Sequence, residues 1–340
     1  MAATKEGCVP VELRERLESC LGSVGVLIKS IRANQLNRTR SPDVDLRVRL
    51  VETSQQLSDT CTKLALLFSK PPLPSLSECG GLCDRLEGAC LEFVAAYAHL
   101  EGGATYREEV KIVVLCVLED LAKLITIIAS QGGTRSAAQL HRTGAVWKSC
   151  GDVSKLSRDD RSAVLKVYLS QLQLLRDALS ELTQLESRNG VCDESEWDDG
   201  MEERQGELET VEWTEEELQI IRPASQLIKV CVEVVECASR LLVTGGGDGG
   251  VADMDAGCAL IKQLSPAIDD LANEMEAPVA METCRSLALK VSEVLLSCVH
   301  SLSSHSYCQA NGWPRDHFIA SIDSYTQLLT VNLYLAGMHL

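Results

Sequence analysis

The chain has 340 residues, 45 % of them apolar, and a formal charge of −17, which excludes a fibrous chain and one disordered throughout. Its length suggests about two domains, each with room for a sizeable core, since a chain of this size buries about 75 % of the surface it exposes when unfolded. Aromatic residues are only 4 %, so Leu, Val, Ile and Ala must fill the interior, and that profile favours helices over sheets.

The charge is concentrated. From Asp193 to Glu217 there are 13 carboxylates against the single base Arg204, a net −12 in 25 residues, leaving −5 for the other 315. The bulk of the chain is therefore near neutral, and net charge gives no support to steering toward nucleic-acid phosphates. The densest basic cluster, Lys29, Arg32, Arg38, Arg40, Arg47 and Arg49, is diluted by Asp43 and Asp45. It reads as solvated helix ends rather than as a patch for an anionic ligand. Met1 to Pro10 carries Lys5 and Glu6 and no apolar run, so no signal peptide is expected. Val110 to Ala129, broken by Lys111, Glu119, Asp120 and Lys123, reads as a buried helix rather than a membrane span. The 15 cysteines are odd in number and irregularly spaced. They are expected to be reduced, with Cys20, Cys61, Cys116, Cys231 and Cys298 at helix-core positions and the Asn37-Arg38-Thr39 sequon idle.

In chain order, the first predicted helix, 11–37, places Leu13, Leu17, Leu21, Val24, Ile28 and Ile31 on one face by steps of three and four. The second, 42–69, opens on Ser41-Pro42 and carries Val44, Val48, Val51, Cys61, Leu64 and Phe68. Pro71-Pro72-Leu73-Pro74 follows, a short polyproline-like segment of the kind WW domains recognise, read here as a packed connector. Helices at 76–100 and 105–130 begin with the capping-box spacings Ser75…Glu78 and Thr105…Glu108. A fifth helix covers 135–150. The sixth, 158–187, starts at Ser157…Asp160 and sets Leu165, Leu172 and Leu179 at heptad spacing, joined by Tyr168, Leu175 and Leu182. Val164, Leu169 and Leu185 widen this zipper-like stripe, which favours a bundle core over a partner seam.

The acidic stretch at 189–212 is poor in large apolar residues and cannot offset its own ordering entropy, so it is expected to be a mobile linker. Beyond it, helices are predicted at 214–243 (after Thr214…Glu217), 252–275, 279–303 and 314–338. No segment alternates as a strand. The fold class is all-α: two antiparallel helical bundles, an N-terminal one of about six helices over 1–188 and a C-terminal one of about four over 213–340, joined by the acidic linker.

Candidate chemistry is sparse. Gly245-Gly246-Gly247-Asp248-Gly249-Gly250 follows an amphipathic helix rather than a strand and has no Lys-Ser/Thr sequel, so it reads as an interhelical loop and not a phosphate cradle. Cys298, His300, His305 and Cys308 are possible zinc ligands, but Cys-x-His-x4-His-x2-Cys matches no common zinc module, and a helix reaching Ser303 would turn Cys298 and His300 to different faces. No Cys or Ser sits in a nucleophile motif, and the Asp269-Asp270 pair falls on an exposed helix position. No catalytic residue, cofactor or metal ligand is expected, and no partner-binding residue can be singled out.

Four strings go beyond generic helix patterns: Phe68-Ser-Lys-Pro-Pro-Leu-Pro-Ser75; Val146-Trp-Lys-Ser-Cys150 followed by Leu156-Ser-Arg-Asp-Asp160; Trp213-Thr-Glu-Glu-Glu through Ile221-Arg-Pro223; and Leu264-Ser-Pro-Ala-Ile-Asp-Asp-Leu-Ala272. With them the chain resembles the cyclin-D-binding protein family, also called cyclin-D-interacting or Maid-like, in order from about residue 45 to 335 and with an acidic linker in the same place. The resemblance implies an all-helical, two-bundle protein of cytoplasm and nucleus without enzymatic activity. Such proteins bind D-type cyclins, reduce cyclin-dependent-kinase phosphorylation of the retinoblastoma protein and restrain cell-cycle transcription. Members are also described as helix-loop-helix-type inhibitors lacking a DNA-contacting basic region, and no dense Lys/Arg block opens a helix pair here. The implied partners are a D-type cyclin and helix-loop-helix or adaptor proteins, with no direct nucleic-acid contact and no membrane span. A talin- or vinculin-like cytoskeletal or membrane adaptor is the alternative from another class. It would need a basic exposed face, and the C-terminal part has only scattered bases such as Lys229, Arg240, Lys262, Arg285 and Lys290.

Overall fold

A computed structural model describes residues 9–36, 45–131, 136–189, 213–244, 250–275, 279–309 and 311–337. Among them there is no β-strand, and the chain divides into two compact units, Met1–Asp160 and Arg161–Leu340. The all-α reading holds; the expected linker at 189–212 lies almost wholly outside the described residues.

The first unit contains α1 (Val11–Arg32), α2 (Leu46–Leu67), α3 (Leu76–Ala98), α4 (Ala104–Gln131) and α5 (Ala137–Asp152), followed by one 3-10 turn, Val153–Lys155. α1 packs on α3 and α4, α2 on α3 and α5, and α4 on α5, so the helices close a ring. The stripes explain the packing: α1 buries Leu13, Leu17, Cys20, Val24, Ile28 and Ile31, while α4 buries Val110, Val114, Val117, Leu121, Leu124 and Ile128 toward the same centre. Polar contacts fix the register at the rim, with Arg16 reaching Asp84 at 2.7 Å and Glu87 at 2.9 Å, and Arg32 reaching Glu119 at 2.7 Å. The basic cluster is thus partly engaged: Arg47 donates to the Leu156 carbonyl at 3.2 Å, whereas Arg38 and Arg40 lie outside the described residues.

Local chemistry decided the helix starts. The Ser75 and Glu78 side chains each cap the other's backbone N–H, the full capping box. α2 instead starts on Asp45, which accepts from the N–H groups of Arg47 and Val48, and Ser41-Pro42 falls outside the described residues. α4 begins at Ala104, one residue earlier than expected, and Thr105 is buried in its first turn. Asp160 accepts from the Gly103 N–H at the approach to α4.

The second unit contains α6 (Asp160–Asn189) from Arg161 onward, α7 (Glu215–Thr244), α8 (Val251–Ile261), α9 (Leu264–Asn273), α10 (Met281–Ser304), the single turn α11 (Ser306–Gln309) and α12 (Arg315–Gly337). Here the expected domain boundary is corrected. α6, assigned from sequence to the N-terminal bundle over 1–188, belongs to the second core: Val164, Tyr168, Leu172, Leu175, Ala178 and Leu182 are buried with the stripes of α7 to α12. Gln171 accepts from Ser265 at 2.8 Å, and Arg176 and Glu186 pair with Glu236 and Arg222, both at 3.3 Å. Its heptad stripe is core, with Leu165 and Leu179 half-buried against it, while Leu169 is 51 % exposed and does not widen the stripe.

The helix expected at 252–275 is two helices. Pro266 has no N–H and would clash with the carbonyl four residues back, so a continuous helix breaks at Lys262–Gln263 and restarts with the proline in the first turn, where no donor is needed. At the entry to α7, Trp213 donates to the Met275 carbonyl at 3.0 Å, and Glu217 caps Thr214 while accepting from the Val279 N–H at 3.0 Å. Burial raises the Glu217 carboxyl, and the hydrogen bonds from Thr214 and Val279 outweigh it, for a net lowering.

Two outcomes follow. A protease site inserted between Gly200 and Met201 and cleaved there leaves two pieces that co-elute until denatured, because α6 stays in the core it shares with α7; pieces that separate in native buffer would contradict the boundary at 160/161. Leu172→Ala costs about 2–5 kcal/mol of unfolding free energy, read by thermal melting, and Leu172→Asp costs more because the carboxylate has no partner there. An unchanged melting temperature for Leu172→Asp would mean that this stripe is not core.

Candidate functional site

α5 buries an unusual face. Among its buried residues are Gln139, Thr143 and Ser149, with Val146 and Cys150 the apolar members, so its remaining large apolar side chains point outward. Leu140 is 55 % and Trp147 51 % exposed, and across from them Leu66 on α2 is 66 % exposed. Between these edges the lining is small: Thr62, Ala65 and Ser69 on the α2 side, Ser136 and Thr143 on the α5 side. Small floor and tall edges leave a groove of about 400 Å³. Two cross-links hold it open, Trp147 Nε1 donating to Thr62 Oγ1 at 2.8 Å and Gln139 Nε2 donating to the Ala65 carbonyl at 2.7 Å. The order of these pairs along the chain makes α2 and α5 antiparallel.

The groove carries unspent polar capacity. Gln139 is 4 % exposed, yet its Oε1 has no hydrogen-bond partner, a state that costs free energy until a donor arrives. Lys70 lines one end. Lys63, three residues before Leu66, and Lys148, directly after Trp147, are exposed, and none of the three lysines has an ion-pair partner among the described residues. No carboxylate among the described residues lines the groove. The Phe68–Ser75 and Val146–Cys150 strings singled out above both contribute to it, through Ser69, Lys70 and Trp147. The Pro71–Pro74 connector starts beside it, with Pro71 and Pro72 exposed and Pro74 buried.

The residues weighed for metal or catalytic chemistry do not come together. His300 is exposed beside Arg315, with 3.2 Å between ring nitrogen and guanidinium, while Cys298 and Cys308 are buried in the core. His305 is 2 % exposed and belongs to a different cluster: its Nδ1 lies 3.0 Å from the Tyr307 hydroxyl, which lies 3.5 Å from that of Tyr168. Among the described residues no group of three or more His, Cys, Asp or Glu is placed to hold a metal ion. Asp270 pairs with Lys290 at 2.9 Å, and residues 245–249 of the glycine run lie outside the described residues. None of the described cysteines forms a disulfide; Cys116, expected in a core, is exposed. Burial pushes Cys90 and Cys150 up to about 12, far from the reactive thiolate range. Among the described cysteines only Cys83 is pushed down, to about 4, by thiol hydrogen bonds from Cys20 and Cys79 and, less, by the nearby Arg16 guanidinium, but all three residues are fully buried between α1 and α3. No helix among the described residues is long and apolar enough to cross a membrane.

Residues 49–188 match the family described as Grap2 and cyclin-D-interacting, N-terminal. Cyclin-D1-binding protein 1 homolog of Xenopus laevis is 31 % identical over 284 residues, covering 81 % of this chain and 85 % of the relative. The chain belongs to the cyclin-D-interacting family. The homolog of Danio rerio is 30 % identical over 76 % of this chain and 77 % of its own length, and cyclin-D1-binding protein 1 of Homo sapiens 25 % identical over 73 % and 72 %. The family match runs from α2 through α6 and therefore includes the whole α2–α5 groove as well as the first helix of the second unit.

Sequence reasoning named Trp147 only as part of a string. The available signal was that Leu66, Leu140 and Trp147 fall off the buried stripes of their helices.

The His305 cluster gives a pH dependence. Burial holds the His305 imidazole below its usual range, partly opposed by Asp253, and burial raises the phenols of Tyr307 and Tyr168, so all three face one another neutral. The unfolded chain takes up a proton near pH 6.5 that the folded chain refuses, so this contribution is complete above that pH and lost as pH falls below it. The gap in unfolding free energy between the parent and His305→Gln accordingly narrows from about pH 7.5 to about pH 5, as read by denaturant titration; a constant gap would contradict it.

Proposed function

We propose that this chain is a non-enzymatic regulatory protein that binds a D-type cyclin and thereby restrains cell-cycle progression and the transcription coupled to it, acting in cytoplasm and nucleus. What carries the reading is similarity to proteins named for cyclin-D1 binding, sustained over 81 % of the chain and across both units. The structure supports it from a second side. Among the described residues no group of three or more His, Cys, Asp or Glu is placed to hold a metal ion, whereas the surface offers an apolar-edged groove with Lys70 at its lining, the kind of feature that serves association. Binding alone suffices for such regulation, since a protein that occupies a cyclin removes it from its other partners by mass action.

The test is direct binding of the full-length chain to a purified D-type cyclin by calorimetry, with retinoblastoma-protein phosphorylation by the cyclin–kinase pair as second readout. The expected outcome is a saturable complex and dose-dependent loss of phosphorylation. No complex, with co-sedimentation on actin filaments or anionic vesicles instead, would overturn the reading in favour of an adaptor.

A further inference from the structure

We infer that the α2–α5 groove is a docking site for an acidic, amphipathic helix of a partner protein. The assignment rests on the groove itself and stands whichever protein supplies the helix.

Three observations lead to it. First, the shape: the α5 lining from Ser136 to Trp147 runs for about 17 Å, roughly three helical turns, between two antiparallel helices. Leu140 and Trp147, one heptad apart, stand along one edge and Leu66 along the other. A helix laid there presents residues at i, i+3, i+4 and i+7 to those edges, the pattern of helix-in-groove recognition. Second, the charge: Lys70 lines the groove, exposed Lys63 and Lys148 directly follow its lining residues Thr62 and Trp147 in the chain, none of the three has an ion-pair partner among the described residues, and no described carboxylate lines it. A helix carrying Asp or Glu beside its apolar stripe is steered in and held in register, while a basic one is repelled. Third, Gln139 Oε1 is buried in the lining with its hydrogen-bonding capacity unused, so an occupant that supplies an N–H or O–H donor there gains specificity over one that does not.

The experiment uses the full-length chain and two labelled peptides of about 16 residues, each with Leu at i, i+3, i+4 and i+7; one carries Glu on its other faces, the other Lys. Binding is read by fluorescence polarisation. The acidic peptide is expected to bind at least about tenfold more tightly than the basic one, and to lose at least about tenfold in Leu66→Glu and in Leu140→Glu, the loss typical of a central anchor. Both variants alter exposed side chains, and an unchanged melting temperature verifies that they fold. The triple variant Lys63→Glu, Lys70→Glu, Lys148→Glu is expected to reverse the preference, and salt to weaken the acidic complex. Equal binding of the two peptides, acidic-peptide binding untouched by Leu66→Glu and Leu140→Glu, or no binding would overturn the inference. So would a dimer of the parent chain that Leu140→Glu dissociates, which would give the groove to a second copy. Binding that appears only after the carboxylates between Asp193 and Glu212 are neutralised would give it to this chain's own acidic segment, and would equally overturn it.

Discussion

Each helix of this protein has one stripe of branched and small apolar side chains, and burying that stripe is the constraint from which the architecture follows. With aromatic residues at 4 %, few side chains span a wide gap, so helices must approach closely and each stripe needs its neighbours' stripes within reach. In the first unit the requirement closes five helices into a ring. Phe68 and Phe93 are among the largest fully buried side chains of that ring, as Tyr168 and Tyr307 are in the second unit.

The same constraint sets the division between units. α6 offers Tyr168, Leu172, Leu175 and Leu182 on one face, and the apolar surface that matches it comes from α7 to α12. Tyr168 makes the match specific, because a buried phenol needs a partner and finds one in Tyr307, itself hydrogen-bonded to His305. Gly257 on α8 permits the approach: a Cβ there would sit 2.8 Å from the Tyr168 hydroxyl and 2.9 Å from the His305 ring. The acidic stretch thus interrupts one core rather than separating two, a distinction that charge counting along the chain does not reveal.

The groove is the complement of this rule. α5 packs much of its buried face with the amide of Gln139 and the hydroxyls of Thr143 and Ser149, hydrogen-bonded to nearby backbone, and turns Leu140 and Trp147 outward beside Leu66. Exposed apolar surface costs free energy in an isolated chain, and natural surfaces keep a contiguous patch of it chiefly where a partner covers it.

Much was determined by the sequence alone. Periodicity of three and four located nearly every helix, because amphipathicity is a local property that the chain carries regardless of what it packs against. Caps were legible where the capping residues bond each other, as with Ser75 and Glu78 or Thr214 and Glu217, and misread where a carboxylate was used elsewhere, as with Asp160. The family resemblance was likewise readable as strings. Only the tertiary structure decided which core α6 joins, that Pro266 restarts a helix, that Cys116 faces outward, and that Leu66, Leu140 and Trp147 share one groove with Lys70 and the Gln139 oxygen, which has no partner among the described residues. Each depends on which surfaces meet across long sequence separations, and a stripe states that it must be buried without stating against what.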